Sequence, residues 1–239
     1  MGDTLREHRG VWDTKPALRL IYCDMFERIA AACGPGPTLE IGAGIGKLKT
    51  RIPDVVSSDI QFSPWIDLVA DAQKLPFNGG TFGNIVMVDV LHHVEFPMKF
   101  LRTAAEVLRP NGRLVMVEPA ITWGSALFYR YLHQEPVDMS ADIFVDGVSD
   151  PERDPYAANQ AIPTLLVRHA SRFHQLVPEL KLTDVSWFSF AVYPLSGGFK
   201  RWTLVNEGMA RAGIALERRL EPVLGRSLGF RMLTVMARQ

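Results

Sequence analysis

The chain has 239 residues, of which 47% are hydrophobic and 22% are charged, so a sizeable core is expected and extensive disorder is not. Its 26 basic and 26 acidic residues give a formal net charge of zero, which disfavours nucleic acid as a partner. The first ten residues are charged where a secretory signal is apolar, and no apolar run reaches the roughly 18 residues of a membrane span. We therefore expect a cytoplasmic protein without stable membrane insertion. The sequence does not indicate its oligomeric state.

In the first half of the chain, short apolar runs alternate with segments of helical periodicity. Apolar residues at helical spacing predict a helix over 15–32, which the prolines and glycines of 34–37 end. A second helix is predicted before residue 110, where Pro-Asn-Gly forms a turn. Such alternation is typical of parallel βαβ units. The predicted strands are 38–41, 55–58, 68–70, 84–88 and 113–117, most of them followed at once by an acidic residue or a glycine loop.

The second half of the chain lacks this regular alternation of short apolar runs and helical segments. Residues 133–160 are polar, rich in turn-forming residues and contain several prolines. The pattern then predicts a helix over 162–177, a strand over 181–190, a helix over about 201–219 and a final strand over 230–237.

The most informative stretch is EIGAGIG at residues 40–46. Glycines after a strand permit a tight turn and a close approach of ligand to backbone. The spacing G-x-G-x-G departs from the G-x-G-x-x-G of dinucleotide-binding loops, and no Walker Gly-Lys-Ser/Thr follows. The carboxylate of Glu40 would repel a pyrophosphate but accept hydrogen bonds from a ligand's amino group.

Two aspartates at the ends of later strands suit a nucleoside. Asp59 ends the second strand, where a carboxylate can bind both hydroxyls of a ribose. Asp71 and Ala72 end the third strand and can hold an adenine edge through side chain and backbone amide. For either aspartate, a role in an ordinary loop or cap is the alternative.

These motifs, in this order, resemble those of class I S-adenosylmethionine-dependent methyltransferases. They are also similar to the small-molecule branch that includes the ubiquinone and menaquinone C-methyltransferases. The resemblance covers roughly residues 36–120. The segments that carry it are LEIGAGIG at 39–46, SDI at 58–60, ADA at 70–72 with LPF at 75–77, DVLHHV at 89–94 and LRPNGRL at 108–114.

The resemblance implies an α/β fold, a Rossmann-like sheet of seven mostly parallel strands in the order 3-2-1-4-5-7-6. One strand is antiparallel, and helices cover both faces. The chain is then a single domain, 1–239, with a helical lid at 1–33, a cofactor-binding half at 34–120 and a substrate-binding insertion with the C-terminal strands at 121–239.

The implied cofactor is S-adenosyl-L-methionine. Its methionine part would lie on the loop that contains Gly42, Ala43, Gly44 and Gly46, with Glu40 close by. Its ribose would lie at Asp59 and Ile60, its adenine at Asp71 and Ala72, and its sulfonium above Val88 and Asp89.

Methyl transfer is an in-line displacement that needs a general base only when the acceptor atom arrives protonated. The candidate base is His93, with Asp89 four residues earlier to orient it if the two share a helical face. The alternative is that His92 and His93 only open a helix and that one of them packs against the cofactor.

Residues 89–92 read DVLH in place of the D/N-P-P-Y of enzymes that methylate nucleic-acid bases or glutamine. The resemblance therefore favours an oxygen or carbon of a small, apolar or partly glycosylated metabolite. The aromatic segment 187–199 would line the acceptor pocket where it does not enter the core.

We expect no metal. Aspartates recur every fourth residue from Asp138 to Asp154, but Gly147, Pro151 and Pro155 interrupt any helix that would align them. This segment is instead interpreted as a solvated lid.

Two other functions stay open at this point. A nicotinamide-dependent dehydrogenase would need the glycine spacing that the loop lacks. A non-catalytic, methyltransferase-like subunit would keep or lose the cofactor and act as a partner of another protein.

Overall fold

The computed structural model describes residues 3–131, 135–148, 150, 152–154 and 156–239. Its helices and strands alternate through the first half and form a helix-rich insertion in the second. In chain order they are α1 (Asp3–Thr14), α2 (Pro16–Ala32), β1 (Thr38–Ile41), β2 (Val56–Asp59), β3 (Leu68–Val69), β4 (Phe82–Val88), α3 (Pro97–Val107), β5 (Leu108–Pro119), α4 (Trp123–Tyr131), α5 (Ile162–Arg168), α6 (Ala170–Leu176), β6 (Leu180–Phe188), α7 (Val192–Ser196), α8 (Glu207–Leu228) and β7 (Arg231–Arg238).

The seven strands form one sheet in the order β3-β2-β1-β4-β5-β7-β6. Strands β1 to β5 pair in parallel, and β7 runs antiparallel to both of its neighbours, β5 and β6. This confirms the predicted fold and strand order. The parallel order brings the carboxyl ends of β1, β2, β4 and β5 to one edge of the sheet, where ligands bind in folds of this type.

Alternate residues of the central strands feed two separate cores. In β4, Ile85 and Met87 pack on the face covered by α3, α5 and α6, whereas Val86 packs on the opposite face with α2. Side chains in a strand alternate between faces, so a strand buried on both sides reads as a continuous apolar run. For this reason the apolar run in β4 predicts a strand from the sequence alone.

Boundaries in the outer parts differ from the predicted ones. The predicted start of the last helix at residue 201 is wrong: α8 begins after Asn206, whose side chain accepts a hydrogen bond from the Met209 amide. Such an N-cap satisfies an amide that the first helical turn leaves unpaired. The helix predicted at 162–177 is two helices that break at His169. None of the helices in the described ranges combines the length and the apolar composition that crossing a bilayer requires.

The N-terminal helices are tied to the C-terminal half by ion pairs. Arg28 of α2 donates to both carboxylate oxygens of Glu221 in α8, at 2.8 and 2.7 Å, and to Asp24 at 2.8 Å. Its guanidinium also lies 4.4 Å from the centre of the Phe188 ring. Because these side chains are largely shielded, the pairing is stronger than that of an exposed pair.

We expect Arg28→Ala to lower the free energy of unfolding by about 1.5–3 kcal/mol, the range for losing charge-assisted hydrogen bonds. Urea denaturation measures this. Arg211→Ala is the matched control, because Arg211 pairs with Glu207 on the exposed face of α8, and we expect a change within about 0.5 kcal/mol. Equal effects of the two substitutions would show that the link between α2 and α8 contributes no more than a surface pair.

Candidate functional site

A cavity of about 800 Å³ lies at the carboxyl edge of the sheet. The glycine loop after β1 forms part of its wall, and residues from α1, α2, α4, α7 and β7 close other sides. The predicted site residues that line it are Glu40, Gly42, Ala43, Gly44, Asp59, Ile60, Asp71, Ala72, Val88, Asp89 and His93. The structure therefore brings almost all of them to one cavity; Gly46 does not line it, but its amide donates to the Ala43 carbonyl at 2.7 Å within the same loop.

The loop after β1 depends on glycine. Gly42, Gly44 and Gly46 have φ angles of +70°, +52° and +64°, in the left-handed region that favours glycine. A Cβ on Gly42 would stand 2.2 Å from a methyl of Val90, and one on Gly46 would stand 2.6 Å from the Trp65 carbonyl oxygen. The loop can therefore make its tight turn only with glycine at these positions.

Glu40 is buried in β1, and its Oε2 atom has no hydrogen-bond partner among the described residues. Burial raises the pKa of this carboxyl to about 8; the Asp59 and Asp67 carboxylates add to the rise and Lys49 opposes it. An unsatisfied buried acceptor is costly, typically about 1–3 kcal/mol. The arrangement suits a ligand that brings a positively charged N–H donor to this wall.

Asp59 is the last residue of β2 and fixes the neighbouring loops. Its Oδ2 accepts from the Gly44 amide and its Oδ1 from the Gln61 amide, both at 2.8 Å. Each carboxylate oxygen can accept a second hydrogen bond, so acceptor capacity toward the cavity remains. Asp71 similarly accepts from the Gln73 amide at 2.8 Å.

At the other end of the cavity, Glu118 organises the turn that follows β4. Its carboxylate accepts from the amides of Val90 and Leu91 at 2.8 and 2.7 Å, and its Oε2 lies 2.7 Å from Nδ1 of His92. Burial raises the pKa of Glu118 to about 7, against the two amide hydrogen bonds, and burial lowers the pKa of His92 to about 3. We therefore assign a neutral imidazole whose Nδ1–H donates to Glu118.

Asp89 differs from the expected arrangement. Its φ is +57°, and the next residues form a 3₁₀ turn, Leu91–His93, so helical spacing does not relate Asp89 to His93. The hydrogen bonds of its carboxylate in the described structure go to Arg231 and, at 3.4 Å, to the Tyr22 hydroxyl. The carboxylate that hydrogen-bonds to an imidazole is instead that of Glu118, with His92.

Sequence reasoning missed Arg231. It is the first residue of β7, is only 4% exposed, and lies 4.2 Å from the centre of the Tyr193 ring. Its Nε has no hydrogen-bond partner among the described residues. The sequence shows an arginine at the start of the last predicted strand. Its contact with Asp89 depends on the strand order β5-β7-β6, which no local pattern indicates.

Unpartnered buried side-chain atoms concentrate on this cavity. Within the described ranges, five residues carry such an atom, and four of them line the cavity: Glu40, His93, Gln160 and Arg231. Buried polar groups are normally paired, so such a concentration points to ligand binding.

Some residues of the aspartate-rich segment and of the aromatic segment line this cavity, and others lie elsewhere. Asp150 and Asp154 line the cavity, whereas Asp142 pairs with Arg172 at 3.3 Å on the surface. Pro151 and Pro155 lie outside the described residues. In the aromatic segment, Tyr193 and Phe199 line the cavity, and Phe188 belongs to the core.

Comparison with known proteins gives one family model, described as a methyltransferase domain, which matches residues 39–116. This span runs from β1 through most of β5 and contains the glycine loop, Asp59, Asp71 and the turn after β4. A search of curated proteins gives no match.

Solved structures agree on the fold. A protein from Thermotoga maritima, described as an S-adenosylmethionine-dependent methyltransferase and possible histamine N-methyltransferase, superposes with a TM-score of 0.54 at 12% identity. The match covers 93% of this chain and 92% of that one. The cyclase SpnF superposes with a TM-score of 0.53 at 17% identity, over 90% of this chain and 80% of its own.

The family match and the sheet topology confirm the fold, the enzyme class and the cofactor that the sequence predicts. Residues 39–116 match a methyltransferase domain, the whole sheet has the class I strand order, and the cofactor is S-adenosylmethionine.

Proposed function

We propose that the protein methylates a small-molecule acceptor that binds beside the cofactor in the cavity of about 800 Å³. The observation that carries this proposal is the composition of the cavity wall. One end has the glycine loop with Glu40 and Asp59, and the other has the unpartnered polar atoms of His93 and Arg231. A cavity of this size is within the range of small-molecule sites.

The cofactor end fits the predicted contacts. The Oε2 of Glu40 is a buried acceptor that a ligand's amino group would satisfy. We assign the methionine part to the loop of Gly42, Ala43, Gly44 and Gly46, the ribose to Asp59 and Ile60, the adenine to Asp71 and Ala72, and the sulfonium to Val88 and Asp89. When bound, S-adenosylmethionine supplies a methyl group on a good leaving group.

The acceptor end favours a molecule with both an apolar and a polar part. Tyr22, Tyr193 and Phe199 supply aromatic surface, and Tyr22 and Phe199 pack with ring centres 5.4 Å apart. Arg231 and His93 supply hydrogen-bonding groups in the same space. A partly apolar metabolite that carries a hydroxyl or carboxylate suits these walls, and an oxygen or carbon of it would receive the methyl group.

For an acceptor that arrives protonated, we propose His93 as the general base. Its Nδ1 lacks a hydrogen-bond partner among the described residues, so it can accept a proton from a hydroxyl. Asp89 then acts elsewhere, because its carboxylate holds Arg231 and Tyr22 in place.

We further propose that the first 33 residues serve as a lid over this cavity. Leu5, His8 and Trp12 of α1 line it, together with Tyr22 and Phe26 of α2. Excluding water in this way aligns donor and acceptor and suppresses hydrolysis. Residues 121–239 would supply the acceptor side, through Tyr193 and Arg231 among others.

The first test is calorimetric titration with S-adenosylhomocysteine, with NADH in parallel, followed by an acceptor screen that measures S-adenosylhomocysteine formation. We expect binding of the first ligand and none of the second. Turnover with a hydroxylated or carboxylated, partly apolar acceptor supports the proposal. Binding of S-adenosylhomocysteine without turnover of any acceptor would instead favour a non-catalytic subunit.

We expect Asp59→Ala to weaken S-adenosylhomocysteine binding by about 1–3 kcal/mol, the range for losing hydrogen bonds to a charged group. Calorimetric titration measures the change. Asp54→Ala is the matched control, because Asp54 is an exposed aspartate in the loop before β2. A correctly folded Asp59→Ala protein that binds the ligand as tightly as the control would contradict the ribose assignment.

Cofactor affinity should also depend on pH through Glu40. The pKa of about 8 means that this carboxyl is mostly protonated at neutral pH in the free protein, whereas a cationic amino group favours the ionised form. Binding therefore releases a proton below about pH 8, and affinity rises with pH by at most about tenfold per unit, then levels off.

The comparison with Glu40→Gln isolates this effect, because the ratio of the two dissociation constants cancels the titration of the ligand itself. We expect the ratio to change between about pH 6 and pH 8 and to be constant above. A ratio that is independent of pH would show that Glu40 does not contact the amino group.

A further inference from the structure

A cluster of metal-ligand side chains lies on the acceptor side of the cavity. His92, His93 and Glu135 each offer one ligand atom, and these atoms lie within 4.8 Å of one another. We name this group the His–His–Glu cluster, and we propose that it binds a divalent first-row transition ion, with Zn²⁺ or Co²⁺ as suitable occupants. This departs from the expectation of no metal.

The first argument is the orientation of His92. Its Nδ1 lies 2.7 Å from the Glu118 carboxylate, which the amides of Val90 and Leu91 hold in place. A proton on Nδ1 leaves the lone pair of Nε2 available on the other side of the ring. A histidine ligand with its second nitrogen bonded to a carboxylate is the usual arrangement around bound metal ions.

The second argument is the contact between two acceptors. Nε2 of His92 lies 3.7 Å from Oε2 of Glu135, and with the proton on Nδ1 neither atom has a hydrogen to share with the other. Glu135 also accepts from the Gln160 amide. Ligand atoms of a tetrahedral ion with bonds of about 2.0–2.1 Å stand about 3.3 Å apart, so a cation fits between them with a small adjustment.

The third argument is His93. Its ring packs against that of His92, with centres 4.2 Å apart, and its buried Nδ1 has no partner among the described residues. A metal ion bound among the three residues would satisfy this atom. A second group, Asp89 with His92 and Glu118, is less suitable, because its carboxylates already bind Arg231 and two backbone amides.

The donor set identifies the class of ion. Two imidazoles and one carboxylate suit zinc and its first-row neighbours, whereas magnesium and calcium prefer oxygen ligands only. Three protein ligands leave at least one coordination position open for an oxygen of water or of an acceptor. The proposal does not depend on the proposed methyl transfer, because metal binding is measured without cofactor or acceptor. With the ion bound, Nδ1 of His93 is a ligand and no longer serves as the general base proposed above.

The test is titration of the chelator-treated full chain with Co²⁺, followed by its visible absorption, and with Zn²⁺, followed by calorimetry. We expect one ion per chain and no competition from Mg²⁺. Glu135→Gln and His93→Asn should each weaken binding by at least about tenfold. Glu118→Gln should weaken it by about 10–100-fold, the range for losing the partner of a histidine ligand.

Glu152→Gln and His174→Asn are matched controls, because both residues are exposed and lie outside the cluster. They should bind Co²⁺ as the unaltered chain does, and thermal unfolding of each variant checks that it is folded. An unaltered chain that binds neither ion would overturn the proposal. So would folded Glu135→Gln and His93→Asn proteins whose affinity for Co²⁺ is unchanged.

Discussion

The central constraint in this structure is the set of hydrogen bonds that the buried carboxylate of Glu118 accepts. It stands in β5 but binds the turn that follows β4, through the amides of Val90 and Leu91 and through the His92 imidazole. A fully buried carboxylate is costly unless several donors surround it, and three donors meet here. The turn is therefore fixed by a neighbouring strand, so its conformation depends on the sheet.

The left-handed conformation of Asp89 follows from that constraint. A positive φ is unusual for aspartate and persists only where its surroundings impose it. The Asp89 amide donates to the Val117 carbonyl of β5 at 2.9 Å, and its carboxylate binds Arg231 of β7, so the next two strands on that side of β4 hold it. The 3₁₀ turn that follows carries His92 and His93, and both line the cavity.

Much of the cofactor side could be predicted from the sequence, because its residues lie close along the chain to recognisable strands. Glu40 and Asp59 stand in or at the end of short apolar runs, and in a parallel sheet the carboxyl ends of neighbouring strands share one edge. The acceptor side could not be predicted. Arg231 meets Asp89 across 142 residues of sequence, and this contact exists only because β7 inserts beside β5.

The two histidines show the same dependence on strand order. The spacing predicts that Asp89 orients His93, but the pair of carboxylate and imidazole in the structure is a different one. It consists of Glu118 and His92, because a 3₁₀ turn replaced the expected helix and brought in a carboxylate from another strand. Local spacing can predict that a polar network exists, but which members pair depends on strand order.

The unpartnered buried polar atoms around the cavity lower the stability of the fold. Each unsatisfied buried polar atom costs about 1–3 kcal/mol, a large fraction of the roughly 5–15 kcal/mol that stabilises a typical domain. Glu40, His93, Gln160 and Arg231 concentrate that cost on one cavity. A ligand that hydrogen-bonds to these atoms offsets part of the cost, since a satisfied buried group no longer carries the full desolvation penalty.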